Sequence, residues 1–281
     1  MIVSNPTALH MDVAIPAARA GCNIFLEKPI SHNLERLAEF KEAINQGGGK
    51  VSVGFQFRFH PGLQHIKKLL TNGTIGRLLT AHVHWGEYLP GWHSWEDYRK
   101  SYSAKKALGG GVVLTLCHPL DYLHWMIGNI VSLIAIVDKI SDLELEVEDF
   151  AEILMNYENG AAASLHLDYF QQPKKHTLEI IGTQGTIYWD NADGDVRVYN
   201  AEKRKWKSEP LDPTFERNTM FLLEMQHFIE VVKGTVEPAC TLEDGIRVQQ
   251  IIDAVYRSAK EKAQIDFKKL YGNTRNKFLG S

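Results

Sequence analysis

The feature of this sequence that most constrains its fold is the alternation of short apolar runs with helical patterns over its first 54 residues. The runs MIVS, NIFLE and KVSVG have the length and composition of buried strands. Between them, residues 8–21 and 34–45 carry apolar positions at helical spacing, and glycines follow both segments. This order predicts a parallel α/β sheet with helices covering its faces.

The pattern changes after Arg58. A helical segment leads into a long alternating run, Leu78 to Tyr88, and beyond Ile130 six alternating segments are separated by turn signals. They predict an α+β unit with a large open, mainly antiparallel sheet flanked by helices, two of which close the chain. We therefore divide the chain into residues 1–57, residues 58–267, and a polar tail, 268–281, that we expect to be flexible.

The composition excludes several classes of protein. With 31 Lys and Arg against 34 Asp and Glu, the formal charge is −3, so neither nucleic acid nor an anionic membrane surface is an expected partner. No run approaches about 18 uncharged apolar residues, and no export signal is recognised, so a membrane location is not expected. The three cysteines are far apart and form no CxxC pair, which favours a reducing cytoplasm.

Two motifs stand where strands of the first unit end. The tripeptide EKP at residues 27–29 follows the run NIFL, and SNP at residues 4–6 follows the first strand. Ligands of open parallel sheets bind at the carboxyl ends of strands, so these residues occupy a suitable place for a cofactor. Pro29 restricts the backbone and can form a cis peptide bond. The alternative is an exposed charge pair at the start of a loop.

A second group of candidates follows three consecutive glycines, residues 109–111. His118 and Asp121 are three residues apart, so in a helix they share a face, where a carboxylate can orient an imidazole. Histidine is well suited to remove a hydroxyl proton near pH 7. The alternative is that both residues form a satisfied polar pair within the core.

The segment from His82 to Tyr102 is rich in histidine and aromatic residues. His82 and His84 share one face of a strand and could begin a zinc site with His93, but no familiar metal spacing completes it, so we expect no metal. The aromatic residues fit either a sugar-binding surface or a subunit interface; they are Trp85, Trp92, Trp95, Tyr98 and Tyr102. The run GTQGT, residues 182–186, lies between two alternating segments and predicts a hairpin turn rather than a phosphate loop.

These motifs occur in a familiar order: SNPTALH, AGCNIFLEKPI, VGFQFRFHP, GGG with HxxD, and LEIIGTQGTI. From Met1 to about Phe267 the chain resembles the glucose-fructose oxidoreductase, inositol dehydrogenase and rhizopine-catabolism family (Gfo/Idh/MocA). The resemblance implies a Rossmann-type NAD(P)-binding domain, then an α+β domain whose open sheet forms homo-oligomer contacts. It also implies hydride transfer between NAD or NADP and a sugar, amino sugar or cyclitol.

The resemblance also implies roles for individual residues. His118 matches the catalytic histidine, and Lys28 would hydrogen-bond the same substrate oxygen. Thr115 stands near the place of an aspartate that family members usually carry, which makes Asp121 the candidate for the missing charge. The implied cofactor-lining residues are Ser4, Asn5, Pro6, His10, Glu27, Lys28, Pro29 and Gln56. Arg58, Tyr98 and Arg99 are the candidates for holding the sugar.

One departure from the family is large. The first strand, the GxGxxG turn and the acidic residue that contacts the ribose do not occur in these 281 residues. Pyrophosphate binding uses such a turn at a helix N-terminus, and the remaining half-sheet is expected to expose an apolar edge. The sequence thus predicts a truncated oxidoreductase that need not be active as this chain. The alternative is a non-catalytic sugar-binding or oligomerisation protein derived from the family.

Overall fold

The structure is a computed structural model that describes residues 1–93 and 95–272. Its first unit is a three-stranded parallel sheet in the order β1-β2-β3, as the strand-helix alternation predicts. Helices α1 and α2 connect the strands and pack against each other. The elements are β1 (Ile2–Val3), α1 (His10–Arg19), β2 (Ile24–Glu27), α2 (Leu37–Gly47) and β3 (Val51–Gly54).

Glycine ends α2 because the chain turns there against the end of α1. Gly48 takes the left-handed conformation, with φ of 74°, and its N–H donates to the Ile44 carbonyl. A Cβ on Gly47 would lie 1.9 Å from the Ala18 carbonyl oxygen, so no side chain fits at that crossing. β1 forms one edge of the sheet, and its Ile2 is 54% exposed. The sheet therefore presents an apolar side chain to solvent at this edge.

The second unit is built on a nine-stranded sheet in the order β11-β10-β9-β8-β4-β7-β6-β5-β12. Every described neighbouring pair is antiparallel except β4 and β7, so the sheet is the mainly antiparallel one predicted. Residues 182–185 form the turn between β8 and β9, which makes GTQGT part of a hairpin. The strands are β4 (Leu78–Gly86), β5 (Ile130–Asp138), β6 (Phe150–Tyr157), β7 (Ala162–Asp168), β8 (Lys175–Gly182), β9 (Gly185–Asp190), β10 (Val196–Asn200), β11 (Lys205–Glu209) and β12 (Ile265–Asp266).

The two faces of this sheet differ in burial. Ala81, Val83 and Trp85 of β4 are buried, whereas Ile136 and Leu154 on the other face are mostly exposed. The helices of this unit pack on the buried face of the large sheet and at the junction between the two sheets. They are α3 (Pro61–Thr71), α4 (Val112–Thr115), α5 (His118–Ile127), α6 (Arg217–Val232), α7 (Leu242–Glu261) and α8 (Phe267–Tyr271). No helix in residues 1–93 and 95–272 combines the length and apolar character needed to cross a membrane.

Helix α7 joins the two units into one core. A Cβ on its Gly245 would lie 2.6 Å from the Ile30 side chain, and α7 also packs against β5 of the large sheet. The tail expected to be flexible from residue 268 is ordered in its first turn. Residues 268–271 belong to α8, and the Tyr271 hydroxyl donates to the Gln250 carbonyl at 2.7 Å. Residues 273–281 lie outside the described part of the chain.

Candidate active site

Lys28 connects the carboxyl end of the first sheet to the second unit. It follows the last residue of β2, and its peptide bond to Pro29 is cis. Its Nζ donates a hydrogen bond to the Thr115 carbonyl oxygen at 2.7 Å. Thr115 is the last residue of α4, and α5 begins three residues later at His118. The structure therefore brings EKP and the glycine-His segment, 87 residues apart in sequence, to one place.

His118 lies in an aromatic pocket at the start of α5. Its ring is stacked on Trp85 at 5.7 Å between centroids and makes edge contacts with Phe55 and Phe57. The side chain is buried, and its Nδ1 has no hydrogen-bond partner among the described residues. Burial, reinforced by the nearby Lys28 charge, holds the pKa of His118 well below its usual value. The imidazole is therefore neutral at pH 7 and can accept a proton.

The charge of Lys28 is maintained by its surroundings. Burial by itself would lower the pKa of the ammonium group, but electrostatic interactions with Tyr102, Cys117 and Glu27 raise it above its usual value. Burial in turn raises the pKa of Glu27, whose carboxylate accepts from the Lys28 backbone N–H at 3.3 Å. Lys28 thus remains a hydrogen-bond donor beside a neutral imidazole.

Several buried polar atoms near these residues lack well-formed hydrogen bonds. Asn5 Oδ1 is buried without a hydrogen bond to any described residue, and the buried Thr115 and Tyr169 hydroxyls have only each other and Ser103 as nearby polar side chains, without a well-formed hydrogen bond. The Tyr169 hydroxyl lies close to Thr115, and Asn5 follows the end of β1. A buried polar group without a partner costs about 1–3 kcal/mol, so such atoms mark places where a ligand can supply the missing hydrogen bonds.

The remaining candidates of the first unit lie at the same edge. His10 is buried in α1, with Nδ1 3.0 Å from the Pro29 carbonyl and Nε2 2.9 Å from the Asn5 carbonyl. It ties together the loops that follow β1 and β2, and burial lowers its pKa. Ser4 is exposed at the end of β1, Pro6 precedes a short 3-10 turn, and Gln56 is buried after β3.

The glycine loop, residues 109–111, packs at the junction between the two units. Gly109 has φ of 79°, and a Cβ there would lie 3.0 Å from the Ala8 nitrogen in the loop after β1. Gly111, with φ of 113°, lies against the Glu148 carboxylate. Larger residues would be strained at both positions and would separate the units. A cleft of about 430 Å³ opens beside this loop, lined in part by His32, Gly110 and Leu114.

Arg58 and Asp121, to which the resemblance assigns sugar binding and the catalytic charge, form a buried ion pair. Arg58 Nε and Nη2 donate to both Asp121 oxygens at 2.6–3.2 Å, and Arg58 Nη1 donates to Asp244 and to the Ala239 carbonyl. The Arg58 and Asp121 side chains are 3% and 1% exposed. Asp121 is thus committed to Arg58 rather than to the His118 imidazole. The Arg58 guanidinium in turn is enclosed by Asp121, Asp244 and the Ala239 carbonyl, and its role in holding a sugar stays a prediction.

The other predicted sugar-binding residues, Tyr98 and Arg99, contact groups of the chain itself. The Tyr98 hydroxyl accepts from the Glu144 N–H at 3.2 Å, and Arg99 pairs with Asp97 and Glu144. The three histidines considered for zinc do not converge: His82 contacts Ser164, His84 contacts Gln171 and His93 lies beside Trp95.

Glu224 is a buried acidic residue that the sequence did not single out. It lies on α6, is 4% exposed, and its Oε1 has no partner among the described residues. Burial, together with the nearby carboxyl groups of Glu27 and Asp121, raises the pKa of Glu224 to about 9. It lies in a helix, where a lone glutamate carries no signal of burial.

The sequence also did not single out Tyr122 and His176, which lie near Trp85. The Tyr122 hydroxyl is 3.1 Å from His176 Nε2, and the His176 ring is stacked on Trp85.

Replacing Glu224 with glutamine should stabilise the protein near neutral pH. In the folded state the carboxyl holds its proton up to about pH 9, whereas the unfolded chain releases it near pH 4.5, so native stability falls as pH rises between these values. We expect a gain of roughly 1–3 kcal/mol at pH 7 that disappears at pH 4. Urea unfolding at both pH values measures it, with exposed Glu202→Gln as the control. A stability gain from Glu224→Gln that is the same at pH 4 and at pH 7 would contradict this explanation.

Comparison with known proteins identifies the family of this chain. Residues 67–267 match the model of an oxidoreductase family's C-terminal alpha/beta domain, and residues 1–55 match the NAD-binding Rossmann fold of the same family. The chain belongs to the Gfo/Idh/MocA oxidoreductase family. The expected family is therefore confirmed.

The relatives of this family member carry several activities. An uncharacterized oxidoreductase of Synechocystis is 29% identical over 198 residues, which cover 66% of this chain and 53% of that protein. Levoglucosan dehydrogenase of Pseudarthrobacter phenanthrenivorans is 24% identical, covering 94% of this chain and 78% of its own length. The scyllo-inositol 2-dehydrogenase (NAD(+)) of Bacillus subtilis is 25% identical, with coverages of 96% and 79%. The chain thus spans about half of the first relative and about three quarters of the others.

Solved structures agree in fold. Levoglucosan dehydrogenase in complex with NADH and levoglucosan has a TM-score of 0.84 and 22% identity, and the match covers 94% of this chain and 79% of that one. At this identity the likeness establishes the fold, with its small parallel sheet and large mixed sheet.

Proposed function

We propose that this family member is an NAD(P)-dependent oxidoreductase that transfers a hydride between nicotinamide and a hydroxyl-bearing carbon of a sugar, amino sugar or cyclitol. The observation that carries the proposal is the hydrogen bond from Lys28 Nζ to the Thr115 carbonyl at 2.7 Å, which holds a cation beside the neutral His118. The names of two relatives, a levoglucosan dehydrogenase and an inositol dehydrogenase, support the substrate class.

The residues at this junction suit one end of the cofactor. A nicotinamide carboxamide offers a donor and an acceptor, and Asn5 Oδ1 is a buried acceptor that lacks a partner among the described residues, while the buried Thr115 hydroxyl has only a poorly formed contact with Tyr169. Asn5, Thr115 and Lys28 would therefore hold the nicotinamide end, where the bound cofactor supplies the hydride acceptor or donor. We assign no residue to the pyrophosphate, because these 281 residues contain no GxGxxG turn.

The chain's own residues would divide the chemistry between them. In the oxidation direction, the neutral His118 imidazole takes the proton of the substrate hydroxyl. The Lys28 ammonium donates a hydrogen bond to the same oxygen and stabilises the negative charge that develops on it. Phe55, Phe57 and Trp85 surround the imidazole and limit access of water. The Thr115 carbonyl positions the ammonium until a substrate oxygen replaces it as the acceptor.

The 281-residue chain should bind NADH weakly, with a Kd of about 1 mM or higher, because its residues supply no glycine turn for the pyrophosphate. Fluorescence titration of the purified chain measures this affinity. The comparison protein is the same chain extended at its N-terminus by a strand-GxGxxG-helix segment, which should bind in the micromolar range. Micromolar binding by the 281 residues alone would contradict the assignment of cofactor residues.

A non-catalytic sugar-binding or oligomerisation protein is the second candidate. The exposed apolar side chains of the large sheet, among them Ile136 and Leu154, favour it. The extended chain separates the two functions: a binding protein would bind a sugar yet fail to reduce NAD(P) with any sugar or cyclitol tested. We place either protein in the cytoplasm, a proposal supported by three free cysteines, of which Cys117 and Cys240 are buried.

We further propose that the open face of the large sheet binds a second copy of the chain. Its exposed apolar side chains support this, since Ile134, Ile136 and Leu154 are each at least 45% exposed. Ile136→Glu should convert the oligomer to a monomer while the fold is retained. Light scattering coupled to size-exclusion chromatography measures the mass, and Lys207→Glu on β11 serves as the charge-change control. An unchanged mass for Ile136→Glu would argue against this interface.

A further inference from the structure

The parallel pairing of β4 with β7 brings together three metal-ligating side chains. His84 lies directly opposite His166, with ring centroids 4.3 Å apart. Asp168 follows two residues after His166, and its Oδ2 lies 2.8 Å from His166 Nε2. One potential ligand atom from each residue lies within 4.8 Å of the others. Among the described residues, no other group of three His, Cys, Asp or Glu side chains meets this criterion.

Each of the three side chains is held in place by a neighbour. Asp168 Oδ1 accepts the backbone N–H groups of Phe170 and Gln171, at 2.9 and 2.6 Å, which leaves Oδ2 directed at His166. His166 Nδ1 lies 2.6 Å from Glu152 Oε1. A carboxylate on the outer nitrogen fixes the tautomer and orientation of a metal-ligating histidine. His84 is oriented by a 2.7 Å hydrogen bond to Gln171. Asp168 is also almost completely buried.

We propose that this cluster is a binding site for one divalent transition-metal ion of the zinc class, with His84, His166 and Asp168 as ligands. Two imidazoles and one carboxylate are a ligand set that zinc accepts, at bond lengths of about 2.0–2.2 Å. The ion takes the place of the direct contact between His166 Nε2 and Asp168 Oδ2, which lie 2.8 Å apart. Water fills the remaining position, and Glu152 acts as a positioning residue through His166.

The site lies on the opposite face of the sheet from His118. Successive strand residues point to opposite faces, so His84 faces away from Trp85, the residue on which the His118 ring is stacked. The ion therefore has no contact with the proposed reaction centre. It stabilises the pairing of β4 with β7 and the turn that follows Asp168. The sequence alone does not indicate this site, because His166 is 82 residues from His84 and neither follows a familiar metal spacing.

Zinc titration of the tag-free, EDTA-treated chain tests the proposal. Isothermal titration calorimetry and elemental analysis should find one zinc per chain. His84→Ala and Asp168→Asn should each weaken binding by about 100-fold or more, and Glu152→Gln by about 10- to 100-fold. Asp168→Asn keeps an acceptor for the two backbone N–H groups, so the turn is retained. His82→Ala, on the same strand face and bonded to Ser164, should leave the affinity unchanged.

Three results would overturn the proposal. The first is a zinc content below about 0.1 ion per chain after dialysis, which is the level expected of adventitious zinc only. The second is full affinity in a folded Asp168→Asn variant, with circular dichroism establishing the fold. The third is loss of binding in His82→Ala but not in His84→Ala, which would place the ion elsewhere on this face.

Discussion

Replacing His118 with glutamine should lower turnover by about 10²-fold or more, because removal of a general base typically has an effect of this size. Glutamine retains polar character and most of the volume in the pocket formed by Phe55, Phe57 and Trp85, so the fold should persist. Steady-state rates of NAD(P) reduction measure the effect in a chain that carries a GxGxxG segment. Lys28→Met should cause a comparable loss by removing charge stabilisation of the substrate oxygen.

The pH profile separates a catalytic His118 from a structural one. Because burial lowers its pKa, oxidation should show no loss of rate near pH 6.5 and should decline only at lower pH, where the imidazole becomes protonated. His124→Gln is the matched control. It lies on the same helix and bonds the Gly128 carbonyl, so its replacement should leave turnover unchanged. An unaltered rate in His118→Gln would remove that residue from the mechanism.

Replacing Arg58 with methionine should destabilise the fold by about 3–5 kcal/mol, because it leaves the Asp121 carboxylate buried without its counter-ion. Burial already raises the pKa of Asp121, and the Arg58 guanidinium opposes that shift. Since small proteins unfold at a total cost of only about 5–15 kcal/mol, the single variant should be close to unfolding. Urea unfolding monitored by circular dichroism measures the loss.

The double variant distinguishes an ion-pair effect from simple loss of packing. Arg58→Met with Asp121→Leu removes both charges, and such replacements are often neutral or stabilising. We expect it to recover most of the stability that the single variant loses. A double variant no more stable than Arg58→Met would show that Arg58 acts mainly through Asp244 and the Ala239 carbonyl.

The sheets could be predicted because their signals are local. Short apolar runs separated by helices identify β1 to β3 as parallel, and alternating runs with turn signals identify the hairpins of the large sheet. The motif at residues 27–29 could also be placed, because parallel strands end at one edge of their sheet. The position of β4 between β8 and β7 could not be predicted, since it depends on contacts between strands distant in sequence.

The partners of charged residues could not be predicted from local spacing. Helical spacing puts His118 and Asp121 on one face, which favours a pair, but Arg58 lies 63 residues from Asp121 and takes both of its oxygens. A bidentate guanidinium is the stronger partner for a buried carboxylate. In the same way, no local pattern could indicate that Glu224 would be buried near Glu27. Such outcomes depend on tertiary packing.

A crystal structure of the extended chain with NADH and an unreactive sugar analogue tests the central claim most directly. We expect one sugar oxygen within hydrogen-bond distance, about 2.6–3.2 Å, of both Lys28 Nζ and a His118 ring nitrogen. Lys28 would then have left or shared the Thr115 carbonyl. A sugar bound elsewhere while Lys28 stays on Thr115, or a sugar oxygen that contacts neither residue, would contradict the account.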